Sequence, residues 1–187
     1  MAASRIVKVN RAPVLTLWTA VVAERLGHAR ATALTLGKAV AGLSARAKGV
    51  RLGIYHDKAD GDAAKKKARA RAKAGVTTVE LMGRKLSVIA TEDGLRAVRD
   101  TTPEDPEAIE RSLERKLGEA LPEVRAAMVA LAKSVPKDEL DERAFALYEA
   151  FRPSVPAGER GWGAKGNLDL DRMRALAKGK PSARSRR

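Results

Sequence analysis

The chain has no cysteine, which excludes disulfides, thiolate metal sites and a cysteine nucleophile. Aromatic residues make up only 3% of it and there are two histidines. So few flat side chains count against readers of RNA or single strands, which stack bases on aromatic rings. Two histidines and no thiol leave zinc short of good ligands. No apolar run is long enough to span a bilayer. The longest near the start, Ala12 to Ala23, is broken by Pro13, Thr16 and Thr19 and is not followed by a convincing leader-cleavage pattern. A G-x-S-x-G elbow, a Walker loop and an H-E-x-x-H pair are all missing. No residue is nominated as catalytic, no cofactor is expected, and the expected location is cytoplasmic, at the nucleoid.

Positive charge is what the sequence has in excess. The 187 residues carry a formal net charge of +14, with a pI near 10.4, a balance suited to a phosphate backbone or another anionic surface. Hydrophobic residues reach 44%, enough for a folded protein with a real core. The charge is uneven. Residues 1–101 hold 20 basic and 8 acidic side chains, residues 102–150 hold 7 and 12, and residues 151–187 hold 10 and 3. The densest run is Lys65 to Lys73, where Lys65, Lys66, Lys67, Arg69, Arg71 and Lys73 are spaced only by alanines. Such a segment has almost nothing to bury, repels itself, and is best stabilised by a polyanion. A solvated helix face or a linker would share the composition.

Hydrophobic spacing gives a mostly helical α+β fold. Pro13 suits the first turn of a helix, Val14, Leu17, Trp18, Val21 and Leu26 recur at helical intervals, and Gly27 stands where a left-handed cap would end that helix. A second helix is expected from Thr32 to Arg46, and the basic Ala-rich segment forms a third, ending near Gly75. Ile54 and Tyr55 suit a short strand. Val76 to Met82 and Leu86 to Ala90 suit a β-hairpin with Gly83, Arg84 and Lys85 at its tip. Downstream, Asp105-Pro106, Pro122 and Pro136 each open a helix, and the three helices are expected to pack as an antiparallel bundle. A last helix is placed at Leu168 to Ala177. The expected division is a basic lobe with a hairpin over 1–101, a helical lobe over 102–177, and a disordered basic tail over 178–187 containing Arg184, Arg186 and Arg187.

The run from Thr19 to Lys38 resembles the helix-turn-helix of bacterial DNA-binding proteins. Ala23 and Gly27 match the small residue and the turn glycine, and Val22, Leu26, Ala33 and Leu36 fill packing positions. His28 departs from the pattern, at a turn position that is usually apolar. The resemblance covers about twenty residues, and a helical hairpin packed in the core would satisfy it equally. It implies a second helix in the major groove, presenting Arg30, Thr32, Thr35 and Lys38. The hairpin after it resembles the wing of winged-helix proteins, with Arg84 and Lys85 touching phosphate or minor groove.

Two other constellations carry less. Gly161, Gly163 and Gly166 satisfy G-x-G-x-x-G, but a proline-rich loop precedes them where a dinucleotide site needs a buried strand. Trp162 in that loop is better explained as a pin for a long segment than as part of an anion site with Lys165. His56, Asp57, Asp60 and Asp62 crowd one loop, yet their spacing misses a calcium loop, so no metal is expected. The resulting expectation is a duplex DNA-binding protein, regulatory or nucleoid-associated, held largely by phosphate contacts. Six to ten such contacts give a log–log salt slope of about −5 to −9. The alternatives left open are a helical module for an acidic protein, including a homodimer, and an enzyme acting on an anionic substrate.

Overall fold

Eleven consecutive residues, Pro13 to Ala23, are buried in helix α1 (Arg11–Leu26). A helix apolar on every side belongs at the centre of a core rather than on its surface. The computed structural model describes residues 5–55, 61–158 and 164–179. Within them α1 packs against four other helices. It ends as its sequence indicates: Gly27 adopts φ 112°, and the His28 amide donates to the Ala23 carbonyl at 3.0 Å.

Helix α2 (Arg30–Arg51) crosses α1 so closely that a Cβ on Gly37 would overlap the Thr16 carbonyl oxygen and lie 3.3 Å from the Ala20 nitrogen. The tight approach is therefore made at Gly37. α2 begins before Thr32, and it runs past Arg46 because its stop is Gly53 at φ 72°. There the Ile54 amide returns to the Gly49 carbonyl at 2.9 Å. Ile54 and Tyr55 are exposed and belong to no strand.

Helices α4 (Pro106–Leu117), α5 (Leu121–Lys133) and α6 (Lys137–Phe151) begin at the expected prolines, and Asp105 caps α4 by accepting from the Glu107 amide at 2.9 Å. They do not form a separate bundle. The Trp18 indole N–H donates to the Ala144 carbonyl at 2.8 Å, and its ring meets Phe151 edge-on at 5.2 Å. Glu24 takes two bonds from Arg125, at 2.6 and 2.9 Å. Residues from both sides of position 101 lie in one hydrophobic cluster, so the anticipated two lobes share a single core.

The hairpin is real but larger than its sequence signal. Strands β2 (Thr77–Leu81), β3 (Arg84–Thr91), β4 (Gly94–Arg99) and β5 (Thr102–Pro103) form an antiparallel meander. The first turn is Met82–Gly83, both with positive φ, which is the geometry of a two-residue hairpin turn. Arg84 and Lys85 therefore open β3, opposite Leu81 and Glu80, instead of forming a tip. A second small sheet joins β1 (Ile6–Val9) to β6 (Gly166–Asp169). Leu168 belongs to that strand. The last helix, α7 (Leu170–Ala177), starts later than expected because Asp169 caps it, accepting from the Asp171 and Arg172 amides.

Candidate nucleic-acid interface

Helix α3 (Gly61–Lys73) is the basic Ala-rich run, and none of its residues is buried. Alanine, lysine and arginine have high helix propensity, but a helix this short is marginal without packing, and its cations repel one another. Gly75 at φ 75° closes it, with the Val76 amide donating to the Arg71 carbonyl at 3.0 Å.

At about 100° per residue the six cations divide into two sets. Lys65, Lys66, Arg69 and Lys73 fall within an arc of about 100°, and Lys67 and Arg71 lie on the opposite side. The contacts agree with this geometry. Lys67 forms an ion pair with Asp100, in the β4–β5 turn, and Arg71 donates to the Ser87 hydroxyl on β3. These two side chains tether α3 to the outer face of the sheet. The other four are solvent-facing, and none has an ion-pair partner among the described residues. Asp62, the acidic residue at the start of the same arc, lies in the first turn, where the helix dipole favours a negative charge.

Asp100 is the site's counter-charge. The hydrogen bond from Lys67, and then that ammonium's charge, hold its carboxyl below the ordinary aspartate value, with Arg71 and Arg99 adding to the pull. Its backbone is left-handed, at φ 60°, a conformation that aspartate tolerates better than most residues. Lys85 is exposed on the same strand face as Ser87, two residues along β3. It therefore lies on the face to which Arg71 tethers α3, with Glu80 opposite it on β2.

The remaining sequence candidates lie elsewhere. Thr32 is 5% exposed and donates to the Leu95 carbonyl at 2.7 Å. Thr35 is fully buried, donating to the Thr32 carbonyl at 2.8 Å and accepting from the Ala97 amide at 3.0 Å. Both hydroxyls join α2 to β4 inside the core, so they are withdrawn from any groove-reading role. Arg30 is at the surface but paired with Glu110 of α4. Lys38 is exposed beside a separate groove of about 400 Å³, lined by α1, α2 and α4, with Lys116 among its other lining residues.

The hairpin end is docked. Met82 is buried, its amide donates to the Asp141 carboxylate at 2.7 Å, and Arg84 lies over the Phe145 ring at 5.2 Å. Arg84 is thus a clamp between sheet and α6, not a projecting wing contact. The acceptors that fix α3, Asp100 and Ser87, carry no sequence signal of their own. His56, Asp57, Asp60, Gly161, Trp162, Gly163, Arg184, Arg186 and Arg187 lie outside the described residues. No family model, curated protein or solved structure matches the chain. Among the described residues, no helix is long and apolar enough to cross a membrane, and no group of three or more acidic or histidine side chains could hold a metal.

Proposed function

We propose that the protein binds duplex DNA through α3, by contacts to the phosphate backbone that carry no sequence information. The observation that carries this reading is the division of the six cations. Two are used to orient the helix, and four are left facing solvent without an ion-pair partner among the described residues. α3 buries no residue of its own, so it adds little to the core. A cationic stripe about 12 Å long matches a duplex that presents one phosphate charge per about 1.7 Å of axis. Scarce aromatic residues favour duplex over single strands. The positioning of Thr32, Thr35 and Arg84 favours a backbone-directed reading over base recognition by α2 or by the hairpin.

The test is a fluorescence-anisotropy titration of a mixed-sequence duplex across salt concentrations. Four stripe cations with Lys85 give a log–log slope of about −4 to −5, shallower than six to ten contacts require. Affinity is expected to vary little with duplex sequence. Absence of binding at low salt, or a slope near zero, would overturn the reading.

A further inference from the structure

Among the described residues six large hydrophobic side chains are exposed, and five of them lie between Leu43 and Tyr55. Leu43, Ala47 and Val50 fall at i, i+4 and i+7 on the last three turns of α2, forming one stripe. Leu52 at the cap and Ile54 and Tyr55 beyond it are also exposed. Ala41 and Gly49, on other sides of the helix, are buried. This end of α2 therefore presents a second apolar face, directed away from the core. Such a concentration marks an interaction surface rather than the normal scatter of single exposed residues.

The chemistry around the stripe limits what can cover it. Residues 42–55 contain Arg46, Lys48 and Arg51 and no acidic residue. A second copy packed stripe to stripe would set these cations against one another. A lipid surface needs side chains that reach well into the acyl boundary, whereas on the helix itself Leu43 and Val50 are only 39% and 37% exposed, and the more exposed Leu52, Ile54 and Tyr55 lie beyond its end. They form a low ridge, with Ala47 between them leaving room for a neighbouring backbone. Ridges of this kind accept another helix. We infer that the outer face of α2 from Leu43 to Tyr55 docks an acidic amphipathic helix of a partner protein, its apolar seam on Leu43, Ala47 and Val50 and its carboxylates toward Arg51, which borders the stripe. This surface is separate from α3 and does not depend on the DNA-binding reading.

The probe is a synthetic helical peptide of about twenty residues, with leucines at i, i+3, i+4 and i+7 and glutamates beside them. It is titrated into the full chain alongside two twins, one with lysine for glutamate and one with serine for leucine. The acidic leucine peptide is expected to bind at least about tenfold tighter than either twin. Leu43→Ser with Val50→Ser should remove that advantage while the circular dichroism spectrum is unchanged. Arg51→Glu should narrow the preference for the acidic peptide over the lysine twin. Lys65→Gln with Lys66→Gln should leave the difference between the leucine and serine peptides intact, which separates this surface from α3. Equal binding of the acidic leucine and serine peptides overturns the inference, because charge alone would then explain it. Binding that survives the Leu43 and Val50 changes also overturns it. So does sedimentation with anionic phospholipid vesicles that those changes abolish while the peptide fails to bind.

Discussion

Replacing the outward and inward cations of α3 by glutamine separates a binding helix from a helix that is merely charged. The outward set is Lys65, Lys66, Arg69 and Lys73, and the inward set is Lys67 and Arg71. Each phosphate contact contributes about 0.9 to the log–log salt slope. Losing four of five contacts should reduce a slope of about −4.5 to about −1. Between 50 and 200 mM salt, the parent chain would then lose roughly 500-fold in affinity and the outward variant only about fourfold. The inward pair already has partners in Asp100 and Ser87, so its replacement should change the slope by less than one. Asp100→Asn makes the opposite prediction. It frees Lys67 for phosphate and removes a competing anion, steepening the slope by up to about one. Asp100 is ionised at neutral pH as any aspartate is, and because Lys67 keeps its carboxyl below the ordinary range, this competition extends to more acidic pH than usual. It is lost only when acidification protonates the carboxyl, and affinity should then rise. The assay is duplex anisotropy across salt, with circular dichroism confirming that each variant is folded. If the inward pair flattens the slope as much as the outward four, the orientation of α3 is wrong. If the outward variant keeps the parent slope, α3 is not the binding surface.

Gly37→Ala should destabilise the fold by about 1–3 kcal/mol, since its methyl group meets the α1 backbone; thermal unfolding measures this. Thr35→Val leaves the Ala97 amide without its side-chain acceptor inside the protein. It should cost about 1–3 kcal/mol in denaturant unfolding, while the DNA affinity of the folded fraction stays at the parent value. A loss of affinity without loss of stability would return Thr35 to the interface. Burial pushes the Tyr148 hydroxyl from 10.0 up to about 12, so the unfolded chain gives up this proton first. Stability is therefore full below pH 10 and should fall by roughly 2–3 kcal/mol as pH rises toward 12. Tyr148→Phe should flatten that fall in urea titrations.

Local rules made most of the helical frame legible, because its punctuation is covalent and close at hand. Pro106, Asp105 and Gly27 act within one turn of where they stand, and each marks a helix end. What the sequence concealed depends on contacts made far along the chain. Strand β4 contains Arg96, which weakens the alternation that would announce a strand, yet Arg96 is buried with its guanidinium against the Leu95 carbonyl. Thr32 and Thr35 have the chemistry of base readers on paper. Only the arrival of β4 at 62 to 63 residues' separation turns them into core hydrogen-bonding groups. The same spacing of Ala23 and Gly27 serves a helix-turn-helix or an ordinary packed hairpin, since both need a small residue and a left-handed turn.

The basic helix shows why charge could be read directly while geometry could not. Packing places no demand on α3, so its composition is free to consist of alanine and cations, and that freedom is visible in the sequence. Its orientation is set by Asp100 and Ser87, residues chosen by the sheet's register and not by anything within the run. An aspartate in a turn and a serine on β3 thus decide together which cations face solvent, and the aspartate is itself the anion that holds Lys67. On the proposed reading, affinity at this surface is set jointly by the four cations displayed and by the carboxylate that helps to hold the helix in place.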